Sequence, residues 1–330
     1  MPLQIIRKDI TQMHVDAIVN TTNEEMVGYS GVDEAIHLAA GAELDAECEK
    51  IAPLGLGMVK VTKGYNLDCK YIIHTSGPIW EGGLRGERAI LKSCYLESLE
   101  MAIDLNCESI AFPLISSGTY GYPKDQVLKY AVHIISEFLL NHELTVYLCV
   151  FDKTSYEFSK ALFNDISSFI EEPEPLLTAK FIMSEAMIGS VCDEEKSMSV
   201  PKMYSAVDMS LEEYLKKMDK GFAEKLFDWI DERGMTDVEC YKKANVDKRT
   251  FSKIKSNPDY KPSKQTAIAF AIALKLDIDE TQDLLATVGL TLSQSRTFDK
   301  IIRYFIHNKN YNIFEINEAL FEFDQVLLGC

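Results

Sequence analysis

Three short segments concentrate the polar and small residues suited to holding and reacting a ligand. Lys8-Asp9-Ile10-Thr11 follows the first apolar run. Asn20-Thr21-Thr22-Asn23 follows the second and leads into Gly28-Tyr29-Ser30-Gly31-Val32-Asp33. Ser116-Ser117-Gly118-Thr119-Tyr120-Gly121-Tyr122-Pro123 follows the fifth. The last two are small-residue loops between a strand pattern and a helix pattern. Such loops let backbone N–H groups approach an anion closely, and the following helix adds the favourable end of its dipole. Two of them on one sheet face grip a diphosphate from both sides. An Asp at a strand end accepts hydrogen bonds from an exocyclic amine, and Tyr120 offers a stacking wall. These residues outline a nucleotide diphosphate pocket, with ordinary tight strand–helix turns as the alternative. Neither loop ends in the Gly-Lys-Ser/Thr of a P-loop.

Candidate strands to hold these segments are Leu3–Arg7, Ala17–Asn20, Met58–Thr62, Tyr71–Thr75, Ser109–Leu114 and Thr145–Phe151. They are short and mostly apolar, the pattern of strands covered on both faces. Candidate helices are Asp33–Ala40, Ala42–Ile51, Arg88–Leu105, Pro123–Leu140 and Ser155–Ile170. In the third, Leu91, Cys94, Tyr95, Ser98, Leu99, Ala102 and Ile103 recur at the spacing of one buried helical face. Strands alternating with helices predict an α/β sandwich around a mixed sheet. Ligands of such sheets sit at the carboxyl ends of the strands.

The length of 330 residues favours two domains. With 47% hydrophobic and 26% charged residues, the composition is that of a globular protein. No run of about 18 uncharged apolar residues occurs, which argues against a membrane span. Met1-Pro2-Leu3-Gln4 reaches Arg7-Lys8-Asp9 without an apolar stretch, which argues against a secretory signal. The expected location is cytoplasmic. The cysteines, at 48, 69, 94, 107, 149, 192, 240 and 330, form no CxxC pair and no zinc spacing. They read as reduced thiols, and no metal is expected. His74 reads as a core histidine, and Trp80 with Gly82 and Gly83 as a loop.

The pattern breaks after Ile170, where Glu171-Glu172-Pro173-Glu174-Pro175 cannot continue a helix. Residues 173–209 read as a linker, which sets the domains at 1–172 and 210–330. The second domain reads as all-α, a series of short helices with local start and stop signals. They are Phe222–Glu232 between Gly221 and Gly234, a helix to Ala244 capped by Thr236 or Asp237, Lys248–Lys255 capped by Asp247, and Lys264–Leu274 capped by Ser263. Glu280–Val288 capped by Asp279 follows, then two more near Phe298–His307 and Ile313–Phe323.

The net charge of −17 is unevenly spread. Residues 1–174 hold 13 Lys and Arg against 26 Asp and Glu, whereas Lys242 to Lys264 holds eight basic residues and two acidic ones. In Lys248–Lys255, Phe251 and Ile254 fit a core, while Lys248, Arg249, Ser252, Lys253 and Lys255 face outward. That is the make-up of a recognition helix, with cations for phosphates and short polar groups for base edges.

As a set, the pieces of the first domain resemble a macrodomain of the MacroD type. The similar pieces are Asp9-Ile10-Thr11, Val15-Asp16-Ala17-Ile18-Val19-Asn20, Asn23, Gly31-Val32-Asp33-Glu34-Ala35-Ile36-His37, Thr62-Lys63-Gly64-Tyr65, Ile73-His74-Thr75-Ser76-Gly77-Pro78 and Ser116–Pro123. They run in family order over about residues 1–170. The resemblance implies a three-layer α/β/α macrodomain that binds ADP-ribose and removes it from a substrate without metal or cofactor. It assigns Asp9 to the adenine amine, with the Ile10 N–H beside it, and Asn23 to the distal ribose. Asn20 joins the binding set. Ser30, Gly31, Val32 and the Ser116, Ser117, Gly118, Thr119, Tyr120 loop serve the diphosphate. Asp33 orients or activates the water that attacks the anomeric carbon, and His37, one turn on, supports that loop. The ligand's own phosphate helps to position the water.

Two departures from the family matter. Thr21 and Thr22 stand where it usually has Ala, which reads as a change in packing. Tyr29 and Ser30 stand in what is usually a glycine run, adding bulk where backbone approaches the ligand. Residues 222–290 resemble Cro/C1-type repressor domains, which leaves DNA or RNA contact, protein docking or a structural role open for the helical half. The chain's overall acidity opposes tight DNA binding.

The expected function is an ADP-ribosyl hydrolase acting on mono-ADP-ribosylated Asp or Glu side chains or on O-acetyl-ADP-ribose. The alternatives are a non-catalytic ADP-ribose reader whose helical half engages nucleic acid or a protein, and removal of ADP-ribose from nucleic acid tethered by that half.

Overall fold

The computed structural model describes residues 3–150, 160–171 and 220–329. Six strands form one sheet: β1 Leu3–Ile6, β2 Ala17–Thr22, β3 Val59–Lys63, β4 Tyr71–Ser76, β5 Ser109–Pro113 and β6 Thr145–Cys149. Their order is β1-β6-β5-β2-β4-β3, and every neighbouring pair is parallel except β3 with β4. The helices of this half are α1 Gly31–Ala40, α2 Ala42–Ile51, α3 Glu87–Asp104, α4 Lys124–Asn141 and α5 Lys160–Glu171.

Successive strand residues point to opposite faces. Ile18, Ile72, Ala111 and Cys149 pack with Ile36, Ala40, Leu44 and Cys48 of α1 and α2. Val19, Ile73, Phe112 and Leu148 point the other way, into the cluster that holds Leu91, Tyr95 and Leu99 of α3 and Val127, Ala131 and Ile135 of α4. The result is the expected helix–sheet–helix sandwich. Asn20 of β2 lies directly opposite His74 of β4. By parity Asn20, Thr22 and His74 share the face covered by α1 and α2. A slip of one residue would turn all three away from α1.

Residues 220–329 form the expected all-α region: α6 Phe222–Glu232, α7 Asp237–Lys243, α8 Lys248–Ser256, α9 Lys264–Ala273, α10 Ile278–Ala286, α11 Thr297–His307 and α12 Ile313–Glu322. From Thr266 to Ala273, α9 is buried on every side, as expected of the central helix of a bundle. The buried apolar cluster that holds Leu3 and Ile5 continues through Phe251, Phe270 and Leu320 without a break. Polar contacts reinforce the junction. Tyr241 donates to Glu143 at 2.9 Å and Lys242 to the Leu140 carbonyl at 2.7 Å. Arg7 stacks 4.4 Å from the Phe321 ring centre and pairs with Asp324.

Helix starts follow side-chain chemistry. Thr236 forms a capping box with Glu239, Asp247 accepts from Arg249 N, and Ser263 accepts from Thr266 N. One cap differs from expectation. Asp277, not Asp279, caps α10, in a reciprocal pair with Glu280. The expected linker, 173–209, and the start of the Ser155 helix lie outside the described residues. Among the described residues, six cysteines are free thiols, and no helix is long and apolar enough to cross a membrane.

Candidate active site

The carboxyl ends of β1, β2 and β5 border a cavity of about 740 Å³, within the usual size range for a small-molecule site. All three chemistry-bearing segments meet there. Asp9, Ile10, Asn23, Ser30, Gly31, Val32, Asp33, Ser116, Ser117, Gly118, Thr119 and Tyr120 all line it.

Asn20 and His37 do not. Asn20 is wholly buried behind Asp33. Its Nδ2 donates to Asp33 Oδ1 at 2.7 Å and to His74 Nδ1 at 3.1 Å. Strand parity explains the placement, since it turns Asn20 under α1 rather than toward a ligand. His37 is buried too, with Nδ1 2.5 Å from Asp45 Oδ1 and Nε2 3.5 Å from Asp33 Oδ1. Both residues therefore touch the Asp33 carboxylate from below.

Asp33 sits in the first turn of α1, only 4% exposed. Its Oδ2 accepts from Thr22 Oγ1 at 3.0 Å and from Tyr29 N at 3.4 Å. Burial pushes its carboxyl up, while Asn20, Thr22, His37 and the Tyr29 N–H pull it down; the balance lies above the ordinary value.

Beneath this group, His37, Cys48 and His74 bring potential ligand atoms within 4.8 Å of one another. The hydrogen bonds assign them a different task. Asn20 donates to His74 Nδ1, so His74 Nε2 carries the hydrogen and donates to Thr62 Oγ1 at 2.9 Å. Burial pushes His74 down to about 3 and the Cys48 thiol up to about 12. His74 is thus the core histidine its sequence context suggests, and it orients Asn20.

The two small-residue loops are shaped for close backbone approach. Gly31 and Ser116 both have φ of +62°. A Cβ on Gly77 would stand 2.2 Å from Ser116 Oγ, so Gly77 makes room for that loop. Ser30 Oγ and Thr119 Oγ1 lie 2.9 Å apart and tie the loops together. Asp9 Oδ1 accepts from Thr11 N and Thr11 Oγ1 at 2.9 and 2.8 Å, capping the short 3-10 turn Ile10–Gln12. Trp80 does not line the cavity. Its ring packs 4.4 Å from the Tyr122 ring and its backbone N–H donates to the Tyr120 carbonyl, supporting the third loop from outside.

Sequence reasoning missed Glu25, Val27 and Lys124 in the lining, which carry no motif signal. It also took Thr22 for a packing change. Parity with Asn20 is the signal that places Thr22 on the Asp33 side.

The outward residues of α8 are as expected. Lys248, Arg249, Ser252, Lys253 and Lys255 are exposed, while Phe251 and Ile254 are buried. Two of the cations have acidic neighbours: Arg249 lies 3.6 Å from Glu108, and Lys255 2.5 Å from Asp237. Glu108 immediately precedes β5, whose far end, Pro113, lines the cavity. The basic helix thus stands at the opposite end of the sheet from the site.

The Macro domain family profile matches residues 19–131. A macro domain-containing protein of Methanosarcina mazei is 48% identical over 155 residues, covering 46% of this chain and 83% of that protein. The human ADP-ribose glycohydrolase MACROD2 is 39% identical over 176 residues, covering 52% of this chain and 41% of that protein. Among solved structures, the Oceanobacillus iheyensis macrodomain with ADP is 37% identical with a TM-score of 0.45, covering 47% of this chain and 85% of that one. On the extent and identity of the sequence matches, this chain belongs to the macro domain family.

Proposed function

We propose that this protein is an ADP-ribosyl hydrolase that releases mono-ADP-ribose from acidic side chains or splits O-acetyl-ADP-ribose, with residues 1–172 as the catalytic domain and 210–330 as a helical domain. The observation that carries this reading is Asp33, a buried carboxylate held by three donors in the wall of a cavity of about 740 Å³. The relatives named ADP-ribose glycohydrolase support it.

In this reading Asp9 takes the adenine amine through the carboxylate oxygen that Thr11 leaves free. The N–H groups at the start of α1 and in the Ser116–Tyr120 loop hold the diphosphate, where backbone donors and helix dipole act together. Asn23 holds the distal ribose. A water oriented by Asp33 and the ligand's phosphate attacks the anomeric carbon. The new C–O bond forms from the water oxygen, the bond to the ester oxygen breaks, and the carboxylate departs with its electron pair. The water's proton passes to solvent by way of Asp33 or the phosphate. Fixing both reactants is the main catalytic device.

The test is release of ADP-ribose from a mono-ADP-ribosylated acidic substrate by wild type and Asp33→Ala. Release by the wild type and a loss of at least 100-fold in the variant, the scale of one removed acid–base group, is the expected result. Equal, negligible release by both proteins would leave a non-catalytic reader. Calorimetry without any ADP-ribose binding would sink both.

For the helical domain, the exposed face of α8 supports docking of an anionic partner, with nucleic acid as the first to test. Its position at the far end of the sheet argues against a role in presenting a nucleic-acid substrate to the cavity of the same subunit. Duplex binding measured against salt decides this, because phosphate contacts give a steep salt response. No binding, or a flat response, removes nucleic acid from the reading.

A further inference from the structure

The Asp33 carboxylate receives its donors unequally. Asn20 Nδ2 holds Oδ1 at 2.7 Å, while Thr22 Oγ1 and Tyr29 N hold Oδ2 at 3.0 and 3.4 Å. Asn20 is sealed behind the site, and Tyr29 contributes only backbone. Among the described residues, Thr22 alone brings a side-chain donor to Asp33 from the cavity wall itself. It is 3% exposed, at the last position of β2. A hydroxyl has one hydrogen to donate, and here it goes to Asp33. The β-branch restricts χ1, so the strand fixes where that hydrogen points.

We propose that Thr22 is a positioning residue for Asp33, its hydroxyl holding the carboxylate in one orientation and in the ionised form. This rests on the hydrolase reading above, in which the ionised carboxylate faces the attacking water. A carboxylate has about four lone-pair sites. With three donors in place, little remains for the water beyond one direction, so the donors also choose where the water sits.

The other groups facing Asp33 do not replace Thr22. On α1, His37 Nε2 approaches Oδ1 at 3.5 Å, with its other nitrogen on Asp45 of α2. Cys48 of α2 and Tyr120 of the loop after β5 stay protonated, because burial pushes both upward. His74 of β4 stays neutral for the same reason. Glu24, in the loop after β2, adds a second carboxylate on the Tyr120 side. Burial opposes charge on Asp33, and the donors oppose that effect.

Replacing Thr22 by Val exchanges the hydroxyl for a methyl of similar size. Titrating the Asp33 carboxyl carbon by NMR in the ligand-free protein reads its charge without turnover. The expected result is an upward move of about half to one pH unit in Thr22→Val, the share of one donor in such shifts. Thr22→Ser, which keeps the hydroxyl, titrates as the wild type. The acidic limb of the kcat/KM profile moves with the carboxyl in Thr22→Val and not in Thr22→Ser. Should Thr22→Val fail to fold, Thr22→Ala carries the same comparison. An Asp33 titration that is the same with and without the hydroxyl overturns the proposal. So does an equal shift in the Ser variant, or a kcat/KM limb that stays still while the carboxyl moves. Absence of all release removes the hydrolase reading, while the NMR comparison still decides whether Thr22 sets the charge of Asp33.

Discussion

Asn245, in the turn between α7 and α8, makes both backbone hydrogen bonds of Leu3, the first residue of β1. Leu3 N donates to Asn245 Oδ1 at 2.8 Å, and Asn245 Nδ2 donates to the Leu3 carbonyl at 2.9 Å. One side-chain amide acts as a short strand against the open edge of the sheet, which otherwise invites pairing with another chain. Asn245 has φ of +53°, a left-handed conformation that Asn tolerates better than most residues. Asn245→Ala leaves two buried backbone groups unpaired and adds backbone strain. At about 1–3 kcal/mol per orphaned group, the expected loss is about 3 kcal/mol or more in denaturant unfolding. Asn245→Gly relieves the strain but not the lost bonds, so it should sit between wild type and Ala. A loss below about 1 kcal/mol in Ala would mean that the two halves do not depend on this contact.

Glu318 makes the same junction sensitive to pH. It lies on α12, and burial, with Glu315 adding to it, pushes its carboxyl up to about 7, against the pull of Lys129 on α4. The ordinary value is 4.5. Between those values the folded protein keeps a proton that the unfolded chain releases. Stability therefore falls as pH rises through that window and levels off above it. At about 1.4 kcal/mol per pH unit, the loss by pH 8 is about 3 kcal/mol. Glu318→Gln should be more stable than wild type at pH 8 by a similar amount and nearly equal to it at pH 4.5. Urea unfolding at both pH values checks this. An advantage of the same size at each would refute the assignment to ionisation.

The sheet was legible because its strands are short apolar runs, and all six begin within a residue of where the pattern puts them and end within one or two. Parity within them was the part left unread. Asn20 has the right residue type for ligand binding, yet two residues after Ile18 it must share the face that α1 covers. The same counting turns Thr22 toward Asp33. The α10 cap shows the limit of local signals: Asp277 and Asp279 are both good caps, each with a capping-box partner three residues on, Glu280 or Gln282, and the helix starts from the first. The Asn245–Leu3 contact had no local signal at all. Its partners are 242 residues apart, and a turn containing Asn reads the same whether or not a sheet edge lies beside it.

The bridge between Ser30 and Thr119, at 2.9 Å, spans the two loops that the proposed function assigns to the diphosphate, and in that reading a ligand entering between them must open it. A neutral hydrogen bond of this kind contributes about 0.5–1.5 kcal/mol. Ser30→Gly and Thr119→Val should each speed association of a fluorescent etheno-ADP-ribose by roughly 2–10-fold, since about 1.4 kcal/mol of barrier is a factor of ten. Stopped-flow mixing reads the rate directly. Because the two hydroxyls serve one bond, the double variant should be no faster than either single one. Additive acceleration would show that each residue acts on entry by itself.

Gly77 and Ser116 offer a steric test of the third loop. Ser116 is buried at φ +62°, and a Cβ on Gly77 would stand 2.2 Å from its Oγ and 2.9 Å from Ile115 Cγ2. The first contact is too close to persist, so Gly77→Ala must turn the Ser116 side chain or shift the loop that carries it, which lines the cavity. Overpacking of this kind costs about 1–3 kcal/mol. If that cost falls on the loop, ADP-ribose affinity should drop by roughly 10-fold or more by calorimetry, with little change in melting of the rest of the sheet. Ser116→Gly removes the hydroxyl that collides and relieves the positive φ. The double variant Gly77→Ala/Ser116→Gly should therefore bind better than Gly77→Ala alone, a coupling expected only of residues in contact. A double variant as weak as the Ala single would mean that Gly77 acts through Ile115 or the backbone of β4 instead.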